Sequence, residues 1–262
     1  HIGAVGHLWP RLRVPVYATP FTAALVRGKL EGEGILDEVP LHIIPLGGEL
    51  KLGPFELEFI DITHSIPEPN CIAIRTPLGT VLHTGDWKID PNPVVGRKTD
   101  IEALRRIGEE GVLATICDST NVFVPGRSGS EADVATSLEA VINMCKGRVA
   151  VTAFASNVAR MQSIIMAGTR ARRHVALVGR SMHKISRAAI ETGYLKGIPS
   201  LIDEESAADL PPNKVLYLCT GSQGETRAAL SRIATGEHPH VHLGPGDTVI
   251  FSSRVIPGNE RL

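Results

Sequence analysis

Residues 82–90 read LHTGDWKID: a short apolar run stops at Gly85 and is followed at once by Asp86. A similar arrangement lies upstream, where the apolar run 59–62 leads to His64 in a proline-containing loop. Imidazole nitrogens and carboxylate oxygens that converge from separate strand ends are typical ligands of a catalytic metal ion. We therefore expect a β-sheet whose edge carries a metal site, with His64 and Asp86 among its ligands.

The first half of the chain alternates short apolar runs with tight turns. Gly53-Pro54 and residues 77–79 each separate two such runs, which predicts two β-hairpins. A further strand over residues 112–117 ends at Asp118, which as an isolated residue is typical of a turn. Consecutive antiparallel strands with metal-binding residue types at their ends predict one sheet of an αββα sandwich over residues 1–131.

Beyond residue 131 the pattern changes to alternating strands and helices. Apolar runs at residues 149–152, 175–178, 215–219 and 248–251 are each followed by polar residues, and the first three are expected to lead straight into a helix. This β-α repeat predicts an α/β domain with a mainly parallel sheet over residues 132–262.

The polar residues after these four strands predict a phosphate-binding edge. In an open parallel sheet the ligand lies at the carboxyl ends of the strands, and the N-terminus of a helix favours phosphate. The predicted contacts to a phosphate backbone are Ser156, Asn157, Arg180, Ser181, Ser222, Gln223 and Arg254. At any single junction, Ser and Asn acting only as helix caps explain the pattern equally well. A shared ligand explains all four junctions together.

Charge is distributed unevenly between the two halves. Residues 1–131 hold 12 Lys and Arg against 17 Asp and Glu, whereas residues 132–262 hold 15 against 11. An acidic half that collects cations would thus be joined to a basic half that meets a polyanion, although imbalances of this size also occur on ordinary surfaces. The absence of a P-loop and of a dinucleotide fingerprint from the sequence argues against an ATPase or a Rossmann enzyme.

Composition predicts a cytoplasmic protein without membrane association. No apolar run approaches the roughly 18–20 residues that a membrane span requires. The four cysteines occur singly, without Cys-x-x-Cys spacing, as is typical of reduced cysteines in a cytosolic protein.

The segment His238-Pro239-His240-Val241-His242 has a spacing that also occurs in metal motifs. It lies in a connection rich in Gly and Pro, and no carboxylate is placed to orient the imidazole rings. We therefore predict a solvent-exposed loop here rather than a metal site.

Several motifs together resemble the metallo-β-lactamase superfamily. They are HIGAV at residues 1–5, THSIPE at 63–68, HTGDWKID at 83–90 and CDSTN at 117–121. The later motifs FASN at 154–157, GRSM at 179–182 and TGSQGE at 220–225 resemble the β-CASP branch of that superfamily, most closely the ribonuclease J family.

This resemblance implies roles for individual residues. His1 matches the last histidine of a His-x-His-x-Asp-His ligand segment, so the chain is expected to begin inside that motif. The implied metal ligands are His1, His64 and Asp86. Asp86 matches the bridging aspartate, and Asp118 matches the aspartate of β-CASP motif A, which makes these two the expected catalytic residues. The resemblance also implies two divalent metal ions, zinc by expectation, with manganese or magnesium as alternatives.

The implied function is RNA hydrolysis in RNA processing and decay, including rRNA processing. A hydroxide that bridges the two metals would attack the phosphodiester, in both 5′→3′ exonucleolytic and endonucleolytic cleavage. RNA is the implied partner, and the full-length protein is expected to be a cytoplasmic homodimer. The isolated 262-residue chain is expected to be inactive and to bind metal weakly.

Two other functions remain open from the residues alone. A metallohydrolase of small molecules would explain the first domain, but it leaves the four polar junctions without a role. A catalytically silent RNA-binding subunit would explain the second domain alone.

Overall fold

The computed structural model describes residues 2–254 and 256. The predicted ligand His1 lies outside the described residues. The chain divides into two compact units, His1–Ser130 and Glu131–Leu262.

The first unit contains helices and strands in mixed order. Its described helices are α1 (Val5–Leu12), α2 (Pro20–Gly32) and α3 (Ile101–Glu110), with 3-10 turns at Ile2–Ala4 and Leu36–Glu38. Its strands are β1 (Val16–Ala18), β2 (Leu41–Ile43), β3 (Glu49–Leu52), β4 (Phe55–Asp61), β5 (Asn70–Thr76), β6 (Gly79–His83) and β7 (Ala114–Ile116).

Five of these strands form one mixed sheet in the order β3-β4-β5-β6-β7. The β3–β4 and β5–β6 pairs are antiparallel, which confirms the two hairpins predicted from their turn residues. Strand β7 returns through α3 and pairs parallel to β6. Strands β1 and β2 form a separate parallel pair.

One core cluster of this unit surrounds Trp9, Val26 and Leu30 of α1 and α2, and a second forms on one face of the five-stranded sheet. Ile60 of β4 and Ala73 of β5 are buried there, and α3 contributes the buried Ile107. Helix α3 begins at Asp100, whose side chain accepts a hydrogen bond from the Ala103 N–H. The cap therefore fixes the residue at which α3 begins, and the helix packs on the sheet and returns the chain to β7.

The second unit is built from alternating strands and helices. Its described helices are α4 (Glu131–Met144), α5 (Val158–Arg170), α6 (Arg180–Glu191), α7 (Glu204–Ala208) and α8 (Ala229–Ala234), with a 3-10 turn at Pro212–Lys214. Its strands are β8 (Val149–Thr152), β9 (His174–Val178), β10 (Val215–Cys219) and β11 (Thr248–Phe251).

These four strands form one parallel sheet in the order β11-β8-β10-β9. Every residue of β8 and β10 is buried, as expected for central strands of a parallel sheet with continuous apolar sequence. The predicted α/β fold class and the parallel sheet of the second unit are confirmed, and the sheet of the first unit is mixed because β7 pairs parallel to β6.

Candidate functional site

Three predicted site residues follow three strand ends at one edge of the mixed sheet. Strands β4, β6 and β7 run in the same direction, because β5 is antiparallel to both β4 and β6 while β7 is parallel to β6. His64 lies three residues beyond β4, Asp86 three beyond β6, and Asp118 two beyond β7. The topology therefore brings one imidazole and two carboxylates to the same edge.

The charges of this group act on one another. Burial lowers the pKa of His64, and the nearby Asp86 and Asp118 carboxylates oppose that shift. The Nδ1 atom of His64 lies 3.1 Å from the hydroxyl of Ser65. A neutral imidazole beside two carboxylates has the donor chemistry of a divalent transition-metal site.

Asp118 is oriented by its own turn. Its Oδ1 atom accepts hydrogen bonds from the Thr120 hydroxyl at 2.6 Å and from the Thr120 N–H at 3.0 Å. Hydrogen bonds from the Thr120 hydroxyl and N–H, with smaller contributions from His64 and from the Trp87 N–H, hold the pKa of Asp118 below its ordinary value. The turn-forming role and a role at the site are thus compatible, since the bonds that close the turn also keep the carboxylate ionised.

The approach to Asp86 is open. Gly85 adopts a left-handed conformation with φ +60°, which ends strand β6 and turns the chain so that Asp86 is exposed. A Cβ atom on Gly85 would lie 3.3 Å from the carbonyl oxygen of Asn70, so the position is also crowded.

Asp61, at the end of β4, is a second carboxylate that could bind a metal at this edge of the sheet, but it already has a cationic partner. Its Oδ2 atom lies 2.9 Å from the Arg97 guanidinium. The charge of Asp61 is therefore balanced within the protein, whereas Asp86 is exposed beside His64. This favours Asp86 as the metal ligand.

The described residues of this site offer donor atoms of the types that bind a metal ion, but too few of them to complete a site. Among residues 2–254 and 256, no group of three or more His, Cys, Asp or Glu side chains is arranged to hold a metal ion. A closed zinc site requires four ligands, and a catalytic site commonly has three protein ligands. His64 and Asp86 are thus a partial ligand set.

Thr63 is a residue of this site that sequence reasoning missed. It is buried directly before His64, and its hydroxyl accepts a hydrogen bond from the Asp90 N–H at 2.9 Å. Its own N–H donates to the hydroxyl of Thr99 at 3.1 Å. These partners are 27 and 36 residues away along the chain, so no local pattern indicates them. Thr63 fixes the His64 loop against the segment that carries Asp86.

The four predicted phosphate-binding junctions also lie at one edge of their sheet. Cys219 is in register with both Thr152 and Val178, and Phe251 is in register with Thr152. The strands therefore end level with one another, and the polar residues that follow all leave the parallel sheet at its carboxyl edge.

The side chains at these junctions differ in availability. Arg180 and Ser181 are exposed at the first turn of α6, Arg254 is exposed after β11, and Ser156 is half-buried. The hydroxyl of Ser222 is buried and has no hydrogen-bond partner in the described part of the chain. A buried polar atom without a partner is costly, so the Ser222 hydroxyl is a candidate contact for a ligand oxygen.

The side chains of Asn157 and Gln223 are hydrogen-bonded to other parts of the protein. The Asn157 side chain accepts the Arg160 N–H at 2.9 Å and so caps α5. Gln223 donates to the carbonyl of Arg254 at 2.9 Å and accepts the Ile256 N–H at 2.8 Å. Both amides hold the loops of this edge in position: Asn157 is the helix cap that its place in the sequence allows, whereas no local pattern indicates the partners of Gln223.

Two expectations for this unit are wrong. The segment after β10 does not lead straight into a helix: α8 begins only at Ala229, whose N–H is bound by the Thr220 hydroxyl at 3.1 Å. In the segment 238–242, His240 and His242 are exposed as expected, but His238 is buried and its Nε2 atom lies 3.6 Å from a Glu204 carboxylate oxygen. The Nδ1 atom of His238 accepts the Val241 N–H, so the neutral ring carries its proton on Nε2 and offers no free lone pair to a metal.

No helix in the described part of the chain is long and apolar enough to cross a bilayer.

Comparison with known proteins agrees with this architecture. Residues 146–262 match the family model for the β-CASP domain of ribonuclease J. Ribonuclease J of Sinorhizobium meliloti is 48% identical over 100% of this chain and 46% of its own length. Ribonuclease J of Thermus thermophilus is 44% identical over 99% of this chain and 47% of its own length. The chain thus spans about half the length of the curated relatives it matches.

A structural comparison supports the fold alone. A protein of unknown function from Enterococcus faecalis superposes with a TM-score of 0.54 at 17% identity, over 78% of this chain and 53% of the other. The alignment along the whole chain, the β-CASP match and the arrangement of strand ends agree: the chain belongs to the ribonuclease J family of the β-CASP branch of the metallo-β-lactamase superfamily.

Proposed function

We propose that the full-length protein is a metal-dependent ribonuclease that hydrolyses RNA phosphodiesters, both from the 5′ end and internally. The observation that carries this proposal is the convergence of His64, Asp86 and Asp118 at one sheet edge. It occurs in a chain that aligns along its whole length with ribonuclease J of Sinorhizobium meliloti.

His64 and Asp86 would hold the metal, together with His1, which lies outside the described residues. Family membership implies a divalent metal, and we propose two ions, with zinc as the expected metal. Divalent ions at such a site supply Lewis acidity that activates water and neutralises charge on a phosphate. Asp118 would keep His64 oriented through its charge, since its own carboxylate is fixed by Thr120.

The second unit would hold the RNA backbone. We assign phosphate contacts to Ser156, Arg180, Ser181, Ser222 and Arg254 at the carboxyl edge of the parallel sheet. Asn157 and Gln223 support these contacts indirectly, because their amides fix the loops. The excess of Lys and Arg over Asp and Glu in this half favours a polyanion, and binding should weaken as salt rises.

The proposal also covers the cellular role, the location and the oligomeric state of the full-length protein. We propose that the full-length protein acts in RNA processing and decay, including rRNA processing, and that it is a cytoplasmic homodimer.

A digestion experiment tests the activity. Purified full-length protein is incubated with 5′-monophosphorylated and 5′-triphosphorylated RNA and with Mn²⁺ or Zn²⁺, and the released products are measured. We expect nucleotides from the monophosphorylated RNA and their loss in Asp86→Asn. Asp61→Asn is the matched control, because it removes a carboxylate at the same sheet edge that is already paired with Arg97.

The outcomes separate the three functions. Cleavage that Asp61→Asn retains and Asp86→Asn loses supports the ribonuclease. Metal-loaded protein that binds both RNAs without cleaving either supports a silent RNA-binding subunit. Metal-loaded protein that neither binds nor cleaves RNA, but hydrolyses a thioester or a lactam, supports a small-molecule hydrolase.

A further inference from the structure

A cavity of about 820 Å³ lies beside Asp118 in the first unit. Its walls come from two segments, residues 87–91 and 117–128. This volume falls within the range of pockets that bind small organic groups. The cavity borders the candidate metal centre because Trp87, in its wall, directly follows Asp86.

The wall of the cavity combines one aromatic ring with aliphatic side chains. Trp87 is 40% exposed, Ile89 is 52% exposed and Val122 is 67% exposed. Pro91 adds a further apolar surface. Large apolar groups are rarely left together on a concave surface without a ligand, and an indole face is well suited to stack on a planar group.

Polar and cationic groups occupy other parts of the same wall. Arg127 lines the cavity and forms no ion pair with any carboxylate in the described part of the chain. Lys88 also lines it and lies 3.5 Å from Asp90, so part of its charge is balanced. Ser119, Asn121 and Ser128 provide hydrogen-bonding groups. This arrangement suits a ligand that has both a flat apolar ring and an anionic group.

We propose that this cavity is a nucleotide subsite, in which Trp87 stacks on a base and Arg127 contacts a phosphate of the same RNA strand. The inference rests on the proposed ribonuclease function and deepens it. Every base can stack on an aromatic ring, because each base has a π face. The subsite would therefore bind RNA without sequence specificity. Trp87 would set the position of the nucleotide relative to Asp86, its neighbour in the chain.

Tryptophan fluorescence tests the binding directly. The chain has two tryptophans, and Trp9 is buried with its indole N–H bound to the carbonyl of Val14 at 2.8 Å. Full-length protein is titrated with adenosine 5′-monophosphate and, separately, with ribose 5-phosphate, which lacks a base. We expect the nucleotide to quench the fluorescence of Trp87 and ribose 5-phosphate to leave it unchanged. The quenching should be absent from Trp87→Phe.

Variants measure the strength of stacking. Trp87→Ala removes the fluorescent reporter, so its affinity is measured by calorimetry, and binding of adenosine 5′-monophosphate should be about 5- to 150-fold weaker, the range measured when a stacked aromatic is removed. Phe123→Ala is the matched control, because Phe123 belongs to the segment 117–128 but is 96% exposed and is not among the residues that line the cavity. Equal affinities in wild type and Trp87→Ala would overturn the subsite.

Cleavage of RNA that carries a single abasic ribonucleotide separates this inference from the proposed function. The same RNA with all its bases is the reference substrate. We expect wild type to cleave the abasic RNA more slowly than the reference when the abasic position enters the subsite, and Trp87→Ala to cleave both RNAs slowly. Normal cleavage of both RNAs by wild type would reject the subsite and leave the ribonuclease intact. If no RNA is cleaved, the ribonuclease is rejected, and the fluorescence titration alone decides whether the cavity binds a nucleotide.

Discussion

Thr63 and Lys88 are joined by two hydrogen bonds. The Lys88 N–H donates to the Thr63 carbonyl at 2.9 Å, and the Thr63 hydroxyl donates to the Lys88 carbonyl at 2.6 Å. His64 follows the first residue of this pair, and Asp86 lies two residues before the second. The pair therefore sets the distance between the imidazole and the carboxylate of the candidate metal centre.

Replacement of Thr63 tests this relationship. Thr63→Val keeps the shape of the side chain but removes the two hydrogen bonds of its hydroxyl, to the Lys88 carbonyl and from the Asp90 N–H, so only the backbone bond from the Lys88 N–H remains and the segment that carries Asp86 should shift. We expect RNA turnover by the full-length protein to fall by roughly 10- to 100-fold, as small misplacements of catalytic groups do. Thr63→Ser should retain most activity, because it keeps the hydroxyl.

A distant threonine provides the control for this prediction. Thr76 donates its hydroxyl to the carbonyl of Gly79 in the β5–β6 turn, away from the site. Thr76→Val should reduce stability without lowering turnover per folded molecule. A similar loss of turnover in both valine variants would show that Thr63 acts only through stability.

Much of the fold could be predicted from the sequence because its signals are local. Gly53 adopts φ +58° and Gly79 adopts φ +138° in the two hairpin turns, and glycine is the residue that accepts such angles. The central strands β8 and β10 are continuous apolar runs, the pattern typical of a buried parallel sheet. The strand ends then follow, and with them the positions of His64, Asp86 and Asp118.

Other features could not be predicted because they depend on contacts between distant parts of the chain. Glu68 accepts the Phe21 N–H at 2.8 Å and so binds the first turn of α2 across 47 residues. Gln223 holds a loop 31 residues away, and His238 is buried by packing near Glu204. Residue type and local spacing do not distinguish these engaged polar groups from groups that are free to bind a ligand.

The ion pair between Arg160 and Glu131 should be important for the stability of the second unit. The Arg160 Nε atom lies 3.0 Å from Glu131 Oε2, and both side chains are largely buried. Arg160 also donates to the carbonyl of Ser252 at 2.6 Å. Arg160→Met leaves a buried carboxylate without its cation. We therefore expect the free energy of unfolding, measured by urea denaturation, to fall by about 3 kcal/mol.

A more exposed ion pair between the same two helices, α4 and α5, is the control for Arg160. Arg170 Nη1 lies 2.6 Å from Glu139 Oε2, but its side chain is 60% exposed. Arg170→Met should therefore change the free energy of unfolding by less than about 1 kcal/mol. Equal effects of the two variants would contradict the importance assigned to the buried pair.

Two helical glycines should respond in opposite ways to alanine. A Cβ atom on Gly168 of α5 would lie 2.9 Å from Val175 Cγ2 and 3.0 Å from Leu216 Cδ1, so Gly168→Ala should destabilise the protein by about 1–3 kcal/mol. Nothing lies within 4 Å of a Cβ atom on Gly28 of α2. Gly28→Ala should stabilise the protein by about 0.5–1 kcal/mol, because alanine favours the helix. Thermal unfolding of both variants measures the difference, and a stabilised Gly168→Ala would show that α5 can move away from the sheet.

The buried thiols should make stability fall at high pH. Burial raises the pKa of Cys71 to about 11 and that of Cys219 to about 12, from an ordinary value of 9.0. Between pH 9 and 11 the unfolded chain releases these protons while the folded chain keeps them, so the free energy of unfolding decreases as pH rises. At pH 10 we expect a loss on the order of 1 kcal/mol per thiol relative to pH 8. Urea unfolding at both pH values, compared with Cys71→Ala and Cys219→Ala, isolates this loss from other titrating groups. A pH effect that is undiminished in both variants would exclude the thiols as its source.

The isolated 262-residue chain should hold metal weakly. Within residues 2–254 and 256, the candidate centre offers His64 with Asp86 and Asp118 but no complete group of three that encloses an ion. A partial ligand set leaves most positions of a zinc ion to water, which favours rapid dissociation. After zinc loading and dialysis, elemental analysis should find much less than one ion per chain, whereas the full-length protein should retain its metal. His64→Ala should remove the residual binding. One or more tightly held zinc ions in the isolated chain would mean that its ligand set is already sufficient.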